Sequence, residues 1–120
     1  MAYVSTTFDR YLGKTVGTGH CVPFIRETCG APHTAAWLRG DLVRTSNATE
    51  GTAIATFYQD GKYGNHTDGR SHAAILMAIN SDGLLVMDCW LNQPIWQRTI
   101  KYRNGSGDPV NDGDAFYIIE

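Results

Sequence analysis

The chain has 120 residues, of which 42% are hydrophobic and 18% charged, so we expect one globular domain over residues 1–120 with a buried core. The net charge of −2 gives no electrostatic basis for binding nucleic acid or an anionic membrane. No apolar run approaches the roughly 18 residues that a membrane-spanning helix needs.

The first ten residues show neither the basic region nor the apolar region of a secretory signal peptide. If the protein acts outside its producer, we therefore expect it to leave by a route that reads no N-terminal signal. A short helical turn is predicted around residues 8–12.

A helix is predicted over residues 21–29, where apolar residues recur from Cys21 and Ile25 at helical spacing. Glycines precede this stripe, and Pro23 lies in the first turn, where a missing N–H costs nothing. Gly30 follows the last residue of the stripe and is a typical helix terminator.

Cys21 is thereby placed at a helix N-terminus, where unpaired N–H groups and the macrodipole stabilise negative charge. Its thiol should ionise more readily than a free cysteine with a pKa of roughly 8.5, and the thiolate is the nucleophilic form. A cysteine in an apolar stripe is also often a simple core residue. The functional interpretation therefore requires a base elsewhere in the chain.

The remaining elements are strands. After a turn near residues 34–38, strands are predicted near 51–57, 72–79, 84–90, 96–103 and 114–119. The Asn-Ser-Asp-Gly sequence at residues 80–83 separates two apolar runs and predicts a β-hairpin. The pattern favours an α+β fold in which the N-terminal helix packs on an antiparallel sheet of about five strands.

The predicted hairpin supplies the base. His72 opens its first strand and Asp88 lies near the end of its second, so the two side chains are neighbours in an antiparallel pair. Asp88 would hold one ring nitrogen of His72, and the other nitrogen would take the proton of Cys21. These three residues form the nucleophile, base and orienting group of covalent acyl transfer.

The order of these motifs resembles the papain-like CHAP and NlpC-type cysteine amidases that cut cell-wall peptides. The resemblance is carried by the Gly-x-Cys-Val start at residues 19–22, the Trp-x-x-Gly at 37–40, the strand at 51–57 and the hairpin at 72–90, and it spans roughly residues 17–119. Small relatives of this kind resemble the amidase effectors of type VI secretion, which attack the peptidoglycan of rival bacteria. The chain departs from the family at positions 56–71, where a longer glycine-rich segment precedes His72.

The resemblance implies a papain-like fold and a cysteine amidase or endopeptidase that needs no cofactor. Its substrate would be the peptide stem of peptidoglycan, reached in the periplasm of a target cell, and its partner would be a cognate immunity protein. The oxyanion would lie over backbone N–H groups at the helix start, including that of Cys21.

Four residues are candidates for the substrate groove: Gly19, His20, Arg70 and Trp90. Trp90 is also a candidate for shielding the hydrogen bond between His72 and Asp88. The segment 58–71 directly precedes His72 and should border the site. A stem carboxylate could pair with Arg70, Arg26 or Lys62, and nothing in the sequence selects among them.

Several alternatives remain open. The same residues would serve a transglutaminase-like transferase or a deamidase, and a non-enzymatic wall-binding module would pack Cys21 and His72 without bringing them together. No metal is predicted, because no paired ligands occur at the spacing that zinc sites show. Cys29 and Cys89 would be either buried thiols or a disulfide.

Overall fold

The computed structural model describes residues 2–66 and 69–120. One α-helix, α1 (Cys21–Cys29), precedes six strands: β1 (Arg39–Leu42), β2 (Ala53–Thr56), β3 (Ala73–Ile79), β4 (Gly83–Trp90), β5 (Gln93–Lys101) and β6 (Phe116–Ile119). Short 3-10 turns lie at Phe8–Tyr11, Thr34–Ala36, Val43–Thr45, Pro109–Asn111 and Gly113–Ala115. The strands form one antiparallel sheet in the order β1-β6-β2-β3-β4-β5.

The predicted α+β class is confirmed, with six strands where about five were expected. The strand that the sequence did not reveal is β1, a short edge strand of sequence Arg-Gly-Asp-Leu that is largely exposed. Its alternation carries no apolar face, so periodicity gives no strand signal there. β5 begins three residues earlier than predicted. It is the opposite edge strand, and Pro94 is tolerated on such an edge.

Helix α1 begins at Cys21 and ends at Cys29, as predicted, and Gly30 terminates it as predicted. Gly30 ends it in the left-handed conformation at φ 67°, and its N–H donates to the carbonyl of Arg26. Phe24 and Ile25 are completely buried against β3 and β4. The packing of these two side chains holds the first turn of α1, and with it Cys21, at a fixed position over the sheet.

Both faces of the sheet are buried. One face packs under α1 and includes Ala53, Ala73, Ile75 and Met87. The opposite face carries a second apolar cluster of eight buried residues: Val43, Ile54, Ala74, Leu76, Leu84, Val86, Ile100 and Phe116. None of the helices in the described part of the chain combines the length and apolar character that crossing a bilayer requires.

The N-terminal segment is tied to the sheet and to α1. The Ser5 N–H donates to the carbonyl of Gly51 at 2.8 Å, and the Gly51 N–H donates to the carbonyl of Leu76 at 2.7 Å. The hydroxyls of Ser5 and Thr28 are hydrogen-bonded at 2.6 Å. Gly51 lies at φ 95°, and a methyl group on it would lie 2.2 Å from the Ser5 carbonyl oxygen.

We expect Gly51→Ala to destabilise the protein more than Gly107→Ala. Both glycines have positive φ, but a methyl group at Gly107 would meet nothing within 4 Å. Both substitutions cost roughly 1–2 kcal/mol of backbone strain, and overpacking at Gly51 adds about 1–3 kcal/mol. Thermal melting of the two variants measures the difference in stability. Equal losses of stability would mean that the Ser5 backbone moves away from the added methyl group at no cost.

Candidate active site

Helix α1 presents Cys21 at its first position. The backbone turns at Gly19, where φ is 89°, and His20 is the N-cap residue, although its side chain makes no capping hydrogen bond. Cys21 is half-buried and borders a cavity. Cys21 therefore lies at the end of α1 whose backbone N–H groups have no intrahelical partner, as the sequence predicts.

His72 is held on both its backbone and its ring. Its N–H donates to the hydroxyl of Thr56 at 3.0 Å, and that hydroxyl donates to the carbonyl of Arg70 at 3.2 Å. The ring lies edge-on to the fully buried Phe116, with centroids 6.3 Å apart. These contacts fix the imidazole at the beginning of β3.

Asp88 accepts two hydrogen bonds on one oxygen. His72 Nε2 lies 2.7 Å and Arg98 Nε 2.8 Å from Asp88 Oδ2. Asp88 is 2% exposed, and a buried carboxylate is tolerated only when it is paired and hydrogen-bonded. Because Nε2 is engaged by Asp88, Nδ1 is the ring nitrogen that remains for the thiol.

The Cys21 thiol and the His72 imidazole shift each other's pKa. Burial alone would raise the pKa of Cys21, but its hydrogen bond with His72, the charge of that ring and the Ala73 N–H together lower it. Burial alone would lower the pKa of His72, yet hydrogen bonds to Asp88 and Cys21 raise it to about 9. Both shifts act in the direction of a thiolate–imidazolium pair, the form that a cysteine nucleophile requires.

Tyr63 is a third group at the thiol. Its ring is buried between Trp37, at a centroid distance of 4.9 Å, and Phe57, at 6.2 Å. A hydrogen bond from its hydroxyl also lowers the pKa of Cys21. Burial raises the pKa of Tyr63 itself, so the phenol remains protonated and acts as a donor.

These groups face a cavity of about 1000 Å³. Its walls come from the start of α1, from the segment before β3, from the β4–β5 hairpin and from the loop before β6: Thr18, His20, Cys21, Val22, Pro23, Tyr63, Asn65, His66, Gly69, Ser71, His72, Trp90, Leu91, Arg98, Val110 and Asn111. Leaving the histidines aside, Arg98 is the one charged side chain among the described residues in this wall.

Two of the four groove candidates line the cavity and two do not. His20 and Trp90 are in the wall. Gly19 is buried behind it, because its backbone is used for the turn into α1. Arg70 is not in the wall, and its guanidinium lies 3.2 Å from Nδ1 of the wall residue His66. The segment 58–71 borders the site as expected, and its residues 67 and 68 lie outside the described part of the chain.

Trp90 does not shield the hydrogen bond between His72 and Asp88 directly. The pairing of β4 with β5 is irregular between Asp88 and Trp90, and the indole is 47% exposed. Its ring instead lies 5.2 Å from the guanidinium carbon of Arg98. The residues in direct contact with this pair are Phe116, which lies against the His72 ring, and Arg98, which donates to Asp88.

Sequence reasoning missed Arg98, Tyr63 and Thr56. A buried carboxylate requires compensating partners, and the pairing of Val86 with Arg98 places Arg98 diagonally across from Asp88. That requirement is the one signal in the sequence that points to Arg98. Tyr63 and Thr56 carry no such signal, because their contacts with Cys21 and His72 depend on packing between distant segments.

The other two cysteines have a different environment. All three cysteines are unbonded. Burial raises the pKa of Cys29 and of Cys89 to about 12, and the Cys89 thiol donates to the carbonyl of His20 at 3.6 Å. In residues 2–66 and 69–120, no group of three or more His, Cys, Asp or Glu side chains has the arrangement of a metal site.

Residues 2–119 match the protein family described as "Dae2: Domesticated amidase effector 2". The chain belongs to this family. It is 40% identical over 106 residues to "Domesticated amidase effector 2" from Ixodes scapularis, covering 83% of this chain and 70% of that protein. It is 33% identical over 121 residues to "Type VI secretion amidase effector 2 protein" from Salmonella typhi, covering 89% and 90%.

A solved structure of the same kind is similar throughout. "Type 6 secretion amidase effector 2 (Tae2)" superimposes with a TM-score of 0.85 at 30% identity and covers 98% of this chain and 94% of its own. The resemblance to type VI amidase effectors inferred from the motifs is therefore confirmed. Membership of the Dae2 family extends over nearly the whole chain, including Cys21, His72 and Asp88.

We expect Cys21 to be alkylated by iodoacetamide much faster than Cys29 or Cys89 at neutral pH. Its lowered pKa gives it more thiolate than the other two, whose pKa is about 12. Its rate should reach half-maximum at a pH below the roughly 8.5 of a free thiol, and His72→Ala should move that midpoint upward. Peptide mapping by mass spectrometry measures each site, and comparable rates at all three would contradict the assignment.

Proposed function

We propose that the protein is a cysteine amidase that hydrolyses amide bonds in the peptide stems of peptidoglycan, with residues 1–120 acting as one catalytic unit. The observation that carries the proposal is the continuous set of contacts from Cys21 through His72 to Asp88 beside an open cavity. The names of its relatives, amidase effectors of the domesticated and type VI kinds, support the reaction class.

In the proposed reaction, the Cys21 thiolate attacks the carbonyl carbon of the scissile amide. The oxygen that becomes negative is stabilised by backbone N–H groups at the start of α1, including that of Cys21. The His72 imidazolium gives its proton to the leaving amine, and a thioester forms on Cys21. His72 then takes a proton from water, the hydroxide attacks the thioester, and the carboxylic acid product is released as the thiolate re-forms.

Asp88 orients the ring and stabilises its positive charge. Its hydrogen bond to Nε2 fixes the tautomer in which Nδ1 faces the thiol. Tyr63 supplies a neutral donor to the thiolate, which stabilises the charged resting form without offering a competing proton. Thr56 keeps the imidazole in reach by holding the His72 backbone.

The arrangement disfavours a binding module in which Cys21 and His72 pack apart, because the two side chains are close enough to shift each other's pKa and both line the same cavity. A transferase or deamidase would use the same acyl intermediate and differ only in what attacks it. Product analysis separates the two outcomes, since hydrolysis yields a free carboxylate and transfer yields a new amide.

For the site of action, we infer the periplasm of a target cell, reached by a route that does not read an N-terminal signal. The printed name of the Salmonella typhi relative, a type VI secretion amidase effector, supports this inference. A protein neutralising such an enzyme would cover the cavity mouth, so a cognate immunity protein is the partner we propose.

We expect Cys21→Ala and His72→Ala to lose roughly a thousandfold or more of the hydrolysis of purified peptidoglycan, because each removes a group that makes or breaks bonds. Asp88→Asn should retain about tenfold more activity than His72→Ala, because it still orients the ring. Liquid chromatography with mass analysis of the released fragments measures turnover.

The matched control is Cys29→Ala, which makes the same change at the other end of α1 and should leave turnover unchanged. Melting curves of all variants exclude unfolding as the cause of any loss. Turnover of Cys21→Ala within tenfold of the unaltered protein would remove Cys21 as the nucleophile.

We expect the protein to harm a bacterial host when a secretory signal directs it to the periplasm, and to be tolerated in the cytoplasm, where peptidoglycan is absent. Lysis, followed by culture turbidity, should not occur with the Cys21→Ala version of the same fusion. Equal toxicity in both compartments would point to a cytoplasmic substrate and away from the cell wall.

A further inference from the structure

Arg98 has a feature that its contact with Asp88 does not explain. Only its Nε atom donates to the carboxylate, at 2.8 Å. The side chain is 28% exposed and lies in the cavity wall. Among the described residues, neither terminal nitrogen of the guanidinium has a hydrogen-bond partner. Both terminal NH₂ groups are therefore available to a molecule in the cavity.

The surroundings of Arg98 favour a planar anion as the molecule bound in the cavity. A guanidinium presents its N–H donors in a rigid fork that matches the two oxygens of a carboxylate. The Trp90 ring lies over the guanidinium, and Leu91 is a further apolar residue of the same cavity wall. Apolar side chains beside a guanidinium reduce its contact with water, and this strengthens a charge-assisted hydrogen bond.

The guanidinium is also held in place. Arg98 is bound to the same Asp88 oxygen as His72, and the Trp90 ring lies against it. It cannot follow a mobile ligand, so an anion bound to it takes a fixed position relative to His72 and Cys21.

The other cations considered from the sequence do not compete for this role. Arg26 lies in a separate depression along α1 that does not include Cys21. Lys62 does not line the cavity, and the Arg70 guanidinium contacts His66.

We infer that Arg98 binds a free carboxylate of the substrate and thereby selects peptides that carry such a group close to the scissile amide. This inference rests on the proposed amidase function and adds its substrate class: a short peptide with a carboxylate held at a fixed position from the reacting carbonyl. The two terminal nitrogens of Arg98 donate to the two oxygens of that carboxylate, while its Nε continues to donate to Asp88.

The test uses a set of stem peptides in which one carboxylate at a time is replaced by its carboxamide. Hydrolysis by the unaltered protein should fall roughly tenfold to a hundredfold in kcat/KM for one of these replacements. Arg98→Gln should lower hydrolysis of both members of that pair but make their ratio close to one. Arg98→Lys, which keeps the charge and loses the fork, should retain part of the ratio.

A purely structural role for Arg98 would lower both rates and leave the ratio unchanged, so the ratio is the decisive readout. Arg10→Gln, at an exposed position, controls for the loss of one positive charge and should keep the ratio. Arg70→Gln should keep it as well. An unchanged ratio in Arg98→Gln, a ratio abolished by Arg70→Gln, or no effect of any amidation would overturn the inference.

Binding to Cys21→Ala protein separates this inference from the reaction itself. Titration calorimetry of the same peptide pairs should show tighter binding of the carboxylate member, and the difference should vanish in Cys21→Ala combined with Arg98→Gln. If no peptide is hydrolysed but this difference is present, the amidase proposal fails and carboxylate recognition stands. If hydrolysis occurs without discrimination in either assay, recognition by Arg98 fails alone.

Discussion

The buried carboxylate of Asp88 constrains the arrangement of the site. At 2% exposure it is stable only because His72 and Arg98 both donate to it, and removing one partner would leave a buried charge undercompensated. His72 leads into β3, Asp88 lies on β4 and Arg98 on β5. A one-residue slip in strand pairing would send a side chain to the opposite face of the sheet. The two hydrogen bonds to Asp88 therefore form in only one register of β3, β4 and β5.

The location of the site at the end of the sheet follows from strand alternation. Met87 and Cys89 face α1, while Val86 belongs to the cluster on the other face, so Asp88 points away from the helix. Cys21 lies on the helix side. His72 lies just before the first residue of β3, at the end of the sheet, where its ring can contact groups from either face. It therefore connects Cys21 on the helix side with Asp88 on the other side. A histidine inside a strand would face one side only and could not make both contacts.

Much of this arrangement was predictable, and the parts that were not have a common cause. Pro23 and Gly30 mark the ends of α1, and the turn at residues 80–83 fixes the hairpin, so Cys21, His72 and Asp88 could be placed at neighbouring element ends. These signals are local. The role of Arg98 depends on the register between β4 and β5, and that of Tyr63 on the packing of a segment without periodicity. Nothing in the sequence separates Arg70 from Arg26 or Lys62 as a carboxylate partner, and in the fold its guanidinium lies beside His66.

The reacting groups and much of the cavity wall belong to different parts of the fold, so substrate selectivity can vary while the reaction is retained. The reacting groups are anchored by α1, β3 and β4, whereas much of the cavity wall is made by the segment before β3 and by Val110 and Asn111. The loop that contains Val110 and Asn111 is held in place by Asp112, which accepts hydrogen bonds from the backbone N–H groups of Arg103, Gly105 and Asp114. Arg98 belongs to both groups: it stabilises the orienting carboxylate and forms part of the wall. A substitution there changes catalysis and recognition together, whereas substitutions in the loops alter the shape of the cavity without disturbing the buried carboxylate.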